Sequence, residues 1–164
     1  GTGSHDTTQL CICALEQTVQ GGERLLDMGT GSGILSIAAA MLGAQADTAV
    51  DIDEHCLACA VENAQKNGVS IGRTLHGDAL RDPALAAEIG GGYQIICANI
   101  VADIIIGMAP MFWGQLAPGG TLICSGILDE RADEVRQALE AQGFAAPVHT
   151  ASGGWSAFVA KKPV

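Results

Sequence analysis

Positive charge is scarce in this sequence. Eight lysines and arginines stand against 18 aspartates and glutamates, a formal net charge of −10 over 164 residues. Such a balance repels a nucleic-acid backbone unless the few cations gather on one face, and they are not clustered along the chain. Direct nucleic-acid binding is therefore not expected; a basic partner or a cationic small molecule suits the charge better. Long apolar runs are also missing, because Gly, Asp, Gln or Pro interrupts each one before the ~18 to 20 residues that a bilayer span requires. No membrane association is expected. Cysteines at metal-ligand spacing are lacking too: of Cys11, Cys13, Cys56, Cys59, Cys97 and Cys124, only Cys56 and Cys59 form a C-x-x-C pair. A zinc site would need a second pair or histidines at ligand spacing. The pair falls within a predicted helix, where positions i and i+3 share a face, and reads as packing thiols; reduced cysteines place the chain in the cytoplasm.

What is present is 48% hydrophobic residues in a length that buries one good core. One domain over residues 1–164 is predicted. The sequence opens on Gly1 with no initiator methionine and no apolar leader, which reads as a fragment or a processed chain. From residue 24 onward short apolar runs alternate with helix-length segments, the pattern of a parallel sheet flanked by helices. Strands are predicted at 24–28, 48–52, 73–76, 93–98, 121–125, 147–151 and 155–161, and helices at 7–19, 34–42, 54–66, 83–89, 101–116 and 130–142. Gly107 and Pro110 could kink or split the helix over 101–116, and Pro118-Gly119-Gly120 is expected to turn the chain into the next strand. The last two strands meet across Ser152-Gly153-Gly154, a turn short enough for an antiparallel hairpin. A doubly wound, mostly parallel, seven-stranded α/β sheet closed by such a hairpin is the Rossmann-like arrangement of class I methyltransferases.

Asp27-Met28-Gly29-Thr30-Gly31-Ser32-Gly33 lies where the first strand turns into a helix, the place where open α/β sheets bind ligands. Glycine there permits positive φ and lets a ligand reach the backbone. A dinucleotide fingerprint would put its third glycine at position 34, which is Ile34, so the pyrophosphate reading weakens. The observed G-x-G-x-G after an acid matches the loop that carries the methionine part of S-adenosylmethionine, with Gly29 and Gly31 as backbone contacts. Asp51 follows Gly29 by 22 positions, where a carboxylate can accept both hydroxyls of a ribose. Asp53 suits the N-cap of the next helix. Asp78, after the third strand, stands where an acid often receives the adenine amino group, although Asp also favours loops. Asn99 closes the fourth strand, and its side-chain oxygen can accept a hydrogen bond from a substrate amine; an Asn capping the following helix is the structural alternative.

Gly1-Thr2-Gly3-Ser4-His5-Asp6-Thr7-Thr8, the glycine loop through Ile34-Leu35, Asp51-Ile52-Asp53, Ala98-Asn99-Ile100 and Ser125-Gly126-Ile127-Leu128 together resemble the ribosomal protein L11 methyltransferase family, PrmA, across essentially the whole chain. The resemblance implies that Thr8, Gly29, Asp51 and Asn99 contact S-adenosylmethionine or line its pocket, with Thr7 and His5 beside them, and that Thr8 and Asn99 serve the catalytic step. It implies a protein N-methyltransferase acting on lysines and the N-terminal amine of a ribosomal protein, with S-adenosylhomocysteine as the product. It also implies that a separate substrate-recognition domain, normal in the family, is absent from this stretch. Three departures stand out. Thr30 replaces the usual Cys at a position expected to lend mainly backbone; Asp6 replaces the usual Pro after His5, which would loosen that loop; and Ser152-Gly153-Gly154 replaces an acidic pair before Trp155. Methylation of another protein or a small molecule, and ligand binding without catalysis, remain as alternatives on the sequence alone, with a nicotinamide dehydrogenase last.

Overall fold

The computed structural model describes residues 5–164, with side chains from Asp6 onward. Seven strands, β1 (Arg24–Met28), β2 (Gln45–Asp51), β3 (Arg73–His76), β4 (Tyr93–Asn99), β5 (Leu116–Leu128), β6 (Ala145–Ser152) and β7 (Trp155–Lys161), form one sheet in the order β3-β2-β1-β4-β5-β7-β6. Neighbours from β3 through β5 pair parallel, whereas β7 runs antiparallel to both β5 and β6. The predicted closing hairpin is therefore present.

Alternation along each strand divides the core into two layers. Leu26, Met28, Ile96, Ala98, Leu122 and Cys124 face one side, where they pack with helices α4 (Pro83–Ile89), α5 (Ala102–Gln115) and α6 (Ala132–Gln142) through Leu85, Ile105, Phe112 and Leu139. Leu25, Ile95, Cys97 and Ile123 face the other side and meet Cys11 and Leu15 of α1 (His5–Thr18) and Leu35 and Ala39 of α2 (Ile34–Met41). Each fully buried Leu, Ile or Phe contributes about 1.5 to 3 kcal/mol of transfer free energy. Asp27, Asn99 and Ser125 have the same parity as this second set, so these three polar residues lie on the face of the sheet that carries α1 and α2.

Local chemistry sets the helix ends. Asp53 caps α3 (Glu54–Lys66) by accepting from the His55 amide, and Asp82 caps α4 by accepting from Ala84 and Leu85, with Pro83 opening the helix. Two expectations need correction. First, α5 runs unbroken through Gly107 and Pro110, its buried face of Ile105, Met108, Ala109 and Phe112 holding it across the lost amide. Second, β5 extends back through Pro118-Gly119-Gly120 to Leu116, because Gly119 donates to the Lys162 carbonyl at 2.8 Å and Lys162 returns a bond to Gly120 at 2.9 Å. Likewise β2 begins at Gln45, whose amide bonds the Glu23 carbonyl at 2.7 Å. Among the described residues no helix is long and apolar enough to cross a membrane.

Candidate active site

The strand order reverses between β1 and β4, and the residues singled out in the sequence gather at the carboxyl ends of the strands beside this switch point. The loop after β1 is closed by two amides, Gly29 and Thr30, which both donate to the Val50 carbonyl at 2.8 and 3.0 Å. Its three glycines answer three different demands. A Cβ on Gly29 would fall 2.7 Å from Ile100 Cγ2, and one on Gly33 would fall 2.8 Å from Ala60 Cβ, so these two are required by neighbouring protein. Gly31 has φ +56° with nothing within 4 Å of its Cβ position. Only there does the loop turn a bare backbone toward open space.

Beneath the loop Asp27 is buried, and its Oδ2 accepts hydrogen bonds from Thr30 Oγ1 at 2.8 Å and Ser36 Oγ at 2.7 Å. Burial pushes its carboxyl above the usual range, and the hydroxyl donors pull partly the other way. Thr30 therefore lends more than backbone. Its hydroxyl ties the loop to the strand below, and together with Ser36 it joins β1, the loop and the first turn of α2.

Asp51 is oriented by two amides: Oδ2 accepts from Gly31 at 2.8 Å and Oδ1 from Asp53 at 2.9 Å. Each oxygen keeps a further acceptor site. Gly77 donates to the Asp51 carbonyl at 3.0 Å, which brings Asp78 alongside; the Asp78 carboxylate accepts from the Leu80 amide at 3.1 Å and pairs with Arg81 at 3.6 Å. Its loop role is thus plain, and one side remains exposed.

Asn99 ends β4 opposite Ser125. Its Nδ2 donates to Thr7 Oγ1 at 3.4 Å, while its Oδ1 is buried with no hydrogen-bond partner among the described residues. An orphaned buried acceptor costs about 1 to 3 kcal/mol, a cost that a ligand donor would remove. Room for that oxygen comes from Gly126, at φ +86° in the register shift of β5, where a Cβ would sit 3.0 Å from Asn99 Oδ1. The structure sets Thr7, fully buried, against Asn99, and leaves Thr8 half-buried in the same turn of α1. The His5 side chain and the stretch from Gly1 to Ser4 lie outside the described residues. The Asp6 Oδ1 accepts from Ser152 Oγ at 3.0 Å, so two departures from the family pattern meet in space.

Sequence reasoning did not find Ser36, nor Gly126 as the residue that leaves room for Asn99, nor an apolar rim at the strand ends. Ile52 is 72% exposed and Val101 56% exposed, with Leu80 and Leu128 also presented to solvent. Large apolar residues at or within a few positions of the strand ends, where a solvated loop would be polar, were the available signal. The six cysteines stay free, with Cys11, Cys97 and Cys124 buried and Cys59 Sγ 3.6 Å from His55 Nε2.

A sheet in this order, with an antiparallel hairpin at one end and its polar residues at the switch point, defines the class I methyltransferase fold; a methyltransferase from Pyrococcus furiosus shares it at TM-score 0.71 and 17% identity, over 93% of this chain and 81% of that one. The model of the ribosomal protein L11 methyltransferase (PrmA) family matches residues 1–163, and the chain belongs to that family. Proteins named ribosomal protein L11 methyltransferase from Pelotomaculum thermopropionicum and Lachnoclostridium phytofermentans are 44% and 39% identical to it, over 98% and 99% of this chain and 51% and 54% of theirs. The crystal structure of a ribosomal protein L11 methylase from Lactobacillus delbrueckii subsp. bulgaricus matches at TM-score 0.88 and 32% identity, over 99% of this chain and 81% of that one. The chain spans about half the length of these curated relatives.

Proposed function

We propose that this chain is the catalytic domain of a cytoplasmic protein N-methyltransferase that binds S-adenosylmethionine across the ends of β1, β2 and β4 and methylates amino groups, on lysines and the N-terminus, of a large-subunit ribosomal protein. The relatives' names point to that substrate, and the buried, unpartnered Asn99 Oδ1 is the observation that carries the reading. The residues fit the cofactor. Asp51 keeps acceptor capacity for two ribose hydroxyls, Gly31 leaves its backbone open beside the methionine part, Gly29 sets the turn, and Asp78 and Thr8 complete the adenine and α1 sides. Bound there, S-adenosylmethionine supplies a methyl group on a positively charged sulfur.

A neutral amine is the acceptor: a nitrogen–carbon bond forms as the carbon–sulfur bond breaks, and the proton has left the nitrogen beforehand. A lysine ammonium holds that proton with a pKa near ~10.4 in water. The apolar residues Val101 and Leu128 reduce hydration at the rim and favour the neutral form. Asn99 Oδ1 then accepts one N–H and aims the lone pair, so catalysis rests on orientation and exclusion of water. Incubation with methyl-labelled cofactor and ribosomal protein L11 tests the reading directly. Wild type should label amino groups, and Asn99→Ala should lose turnover with little change in cofactor Kd. Cofactor binding without labelling of any amine would reduce the chain to a binding module.

A further inference from the structure

We propose that Asp6 is a positioning residue: clamped by Ser152 on the β6–β7 turn, it fixes the first turn of α1 so that Thr7 holds the Asn99 amide in its working orientation. The inference rests on the methyl-transfer reading of the site. The body of α1 is anchored by the buried Cys11, Ala14 and Leu15, which lie one to two turns beyond the residues that face the site. At the first turn the Asp6 carboxylate meets the hairpin with both oxygens. Oδ1 accepts from Ser152 Oγ at 3.0 Å, and Oδ2 lies flush on Gly153, where a Cβ would come within 2.5 Å. The next residue is Thr7, whose Oγ1 receives Asn99 Nδ2 at 3.4 Å. A continuous path therefore runs from the terminal hairpin through Asp6 and Thr7 to the amide that bears the unpartnered Oδ1.

The clamp is exposed and far from the hydrophobic core, so its loss should leave global stability nearly unchanged. Its effect is on aim. Without it the first turn of α1 frays and the Asn99 amide rotates, while Asp51 and the glycine loop still hold the cofactor.

The test uses the full chain with Asp6→Ala, Ser152→Ala, the double variant and the conservative Asp6→Asn, which keeps an acceptor for Ser152. Each alanine variant should lower kcat for amine methylation about three- to ten-fold, the worth of one hydrogen bond. The double variant should fall no further. Asp6→Asn should stay near wild type; in the alanine variants the S-adenosylmethionine Kd should rise by a smaller factor than kcat falls, since Thr8 shares the loosened turn while Asp51 and the glycine loop do not, and Tm should not move. Amide hydrogen exchange should rise equally in both alanine variants at Gln9 and Leu10, the first amides of α1 able to bond back to the carbonyls of its first turn. Wild-type kcat in Asp6→Ala, additive losses in the double variant, or unchanged exchange would each overturn the clamp. If wild type binds no cofactor or methylates no amine, the functional reading fails by itself; exchange then decides the clamp, with a rise supporting it and no rise overturning it.

Discussion

Asp27 and Asp51 lie near the ends of adjacent strands in contrasting surroundings, the first enclosed and the second half-buried. Asp27 is enclosed, and burial raises its carboxyl pKa in the folded state. The folded protein therefore binds the Asp27 proton more tightly than the unfolded chain does, whose value is near ~3.9. Stability from this residue is fully present below that unfolded value and is lost as pH rises through the higher folded value. Urea denaturation of wild type and Asp27→Asn across pH 4 to 8 should show wild type losing stability relative to the variant as pH rises; a constant difference, or the opposite slope, would sink the assignment. Asp51 is half-buried, with both oxygens already oriented by amides. Asp51→Ala should weaken S-adenosylmethionine binding by ~1.5 to 3 kcal/mol, the range for a bond to a charged group, or about ten- to 150-fold by calorimetry. Unchanged affinity would remove Asp51 from the ribose.

Among the secondary elements, α2 and α3 meet at Gly33, where φ is +85° and an added Cβ would lie 2.8 Å from Ala60 Cβ and 3.0 Å from Ala60 Cα. Gly33→Ala should cost about 1 to 2 kcal/mol for the left-handed backbone and a further ~1 to 3 kcal/mol for overpacking. Ala60→Gly in the same chain should recover at most a portion of the second part, because Ala60 Cα stays 3.0 Å away and the strained φ remains. Full recovery in a denaturant double-mutant cycle would refute the backbone contribution. Elements of this kind were legible in the sequence wherever periodicity and capping agreed, as at α3 between Asp53 and Asn67. They were not legible where tertiary pairing overrode local chemistry: Pro118-Gly119-Gly120 has turn residues but pairs with Lys162, and Pro110 sits in a helix held by its buried face. The same division runs through the site. Spacing along one βαβ unit located Gly29, Gly31 and Asp51, whereas Thr7 and Asn99 lie 92 residues apart and Asp6 and Ser152 lie 146 apart, so no local pattern could pair them.

At the scale of the whole molecule, most of the few cations are already committed. Among the described residues seven of the eight hold partners: Arg24, Lys66, Arg81, Arg131 and Arg136 are in ion pairs, Lys162 Nζ donates to the Trp113 and Leu116 carbonyls, and Arg73 bonds Thr48 and the Ile89 carbonyl, which leaves Lys161, exposed at the end of β7. The ion pairs neutralise carboxylates locally and leave the net charge of −10 as a surplus. A negative field steers a lysine-bearing substrate toward the protein before any contact forms, and affects the rate of encounter rather than the chemistry afterwards. Salt separates the two. The screening length is about 10 Å at 0.1 M and about 3 Å at 1 M ionic strength, so the steering fades over that range while contacts within the closed site persist. For the proposed methylation of ribosomal protein L11, kcat/KM should fall by roughly ten-fold between 0.05 and 0.5 M NaCl, with kcat at saturation unchanged. A flat kcat/KM would show that encounter does not depend on the net charge, and a parallel fall in kcat would place the salt effect inside the site, on the orientation of the amine by Asn99.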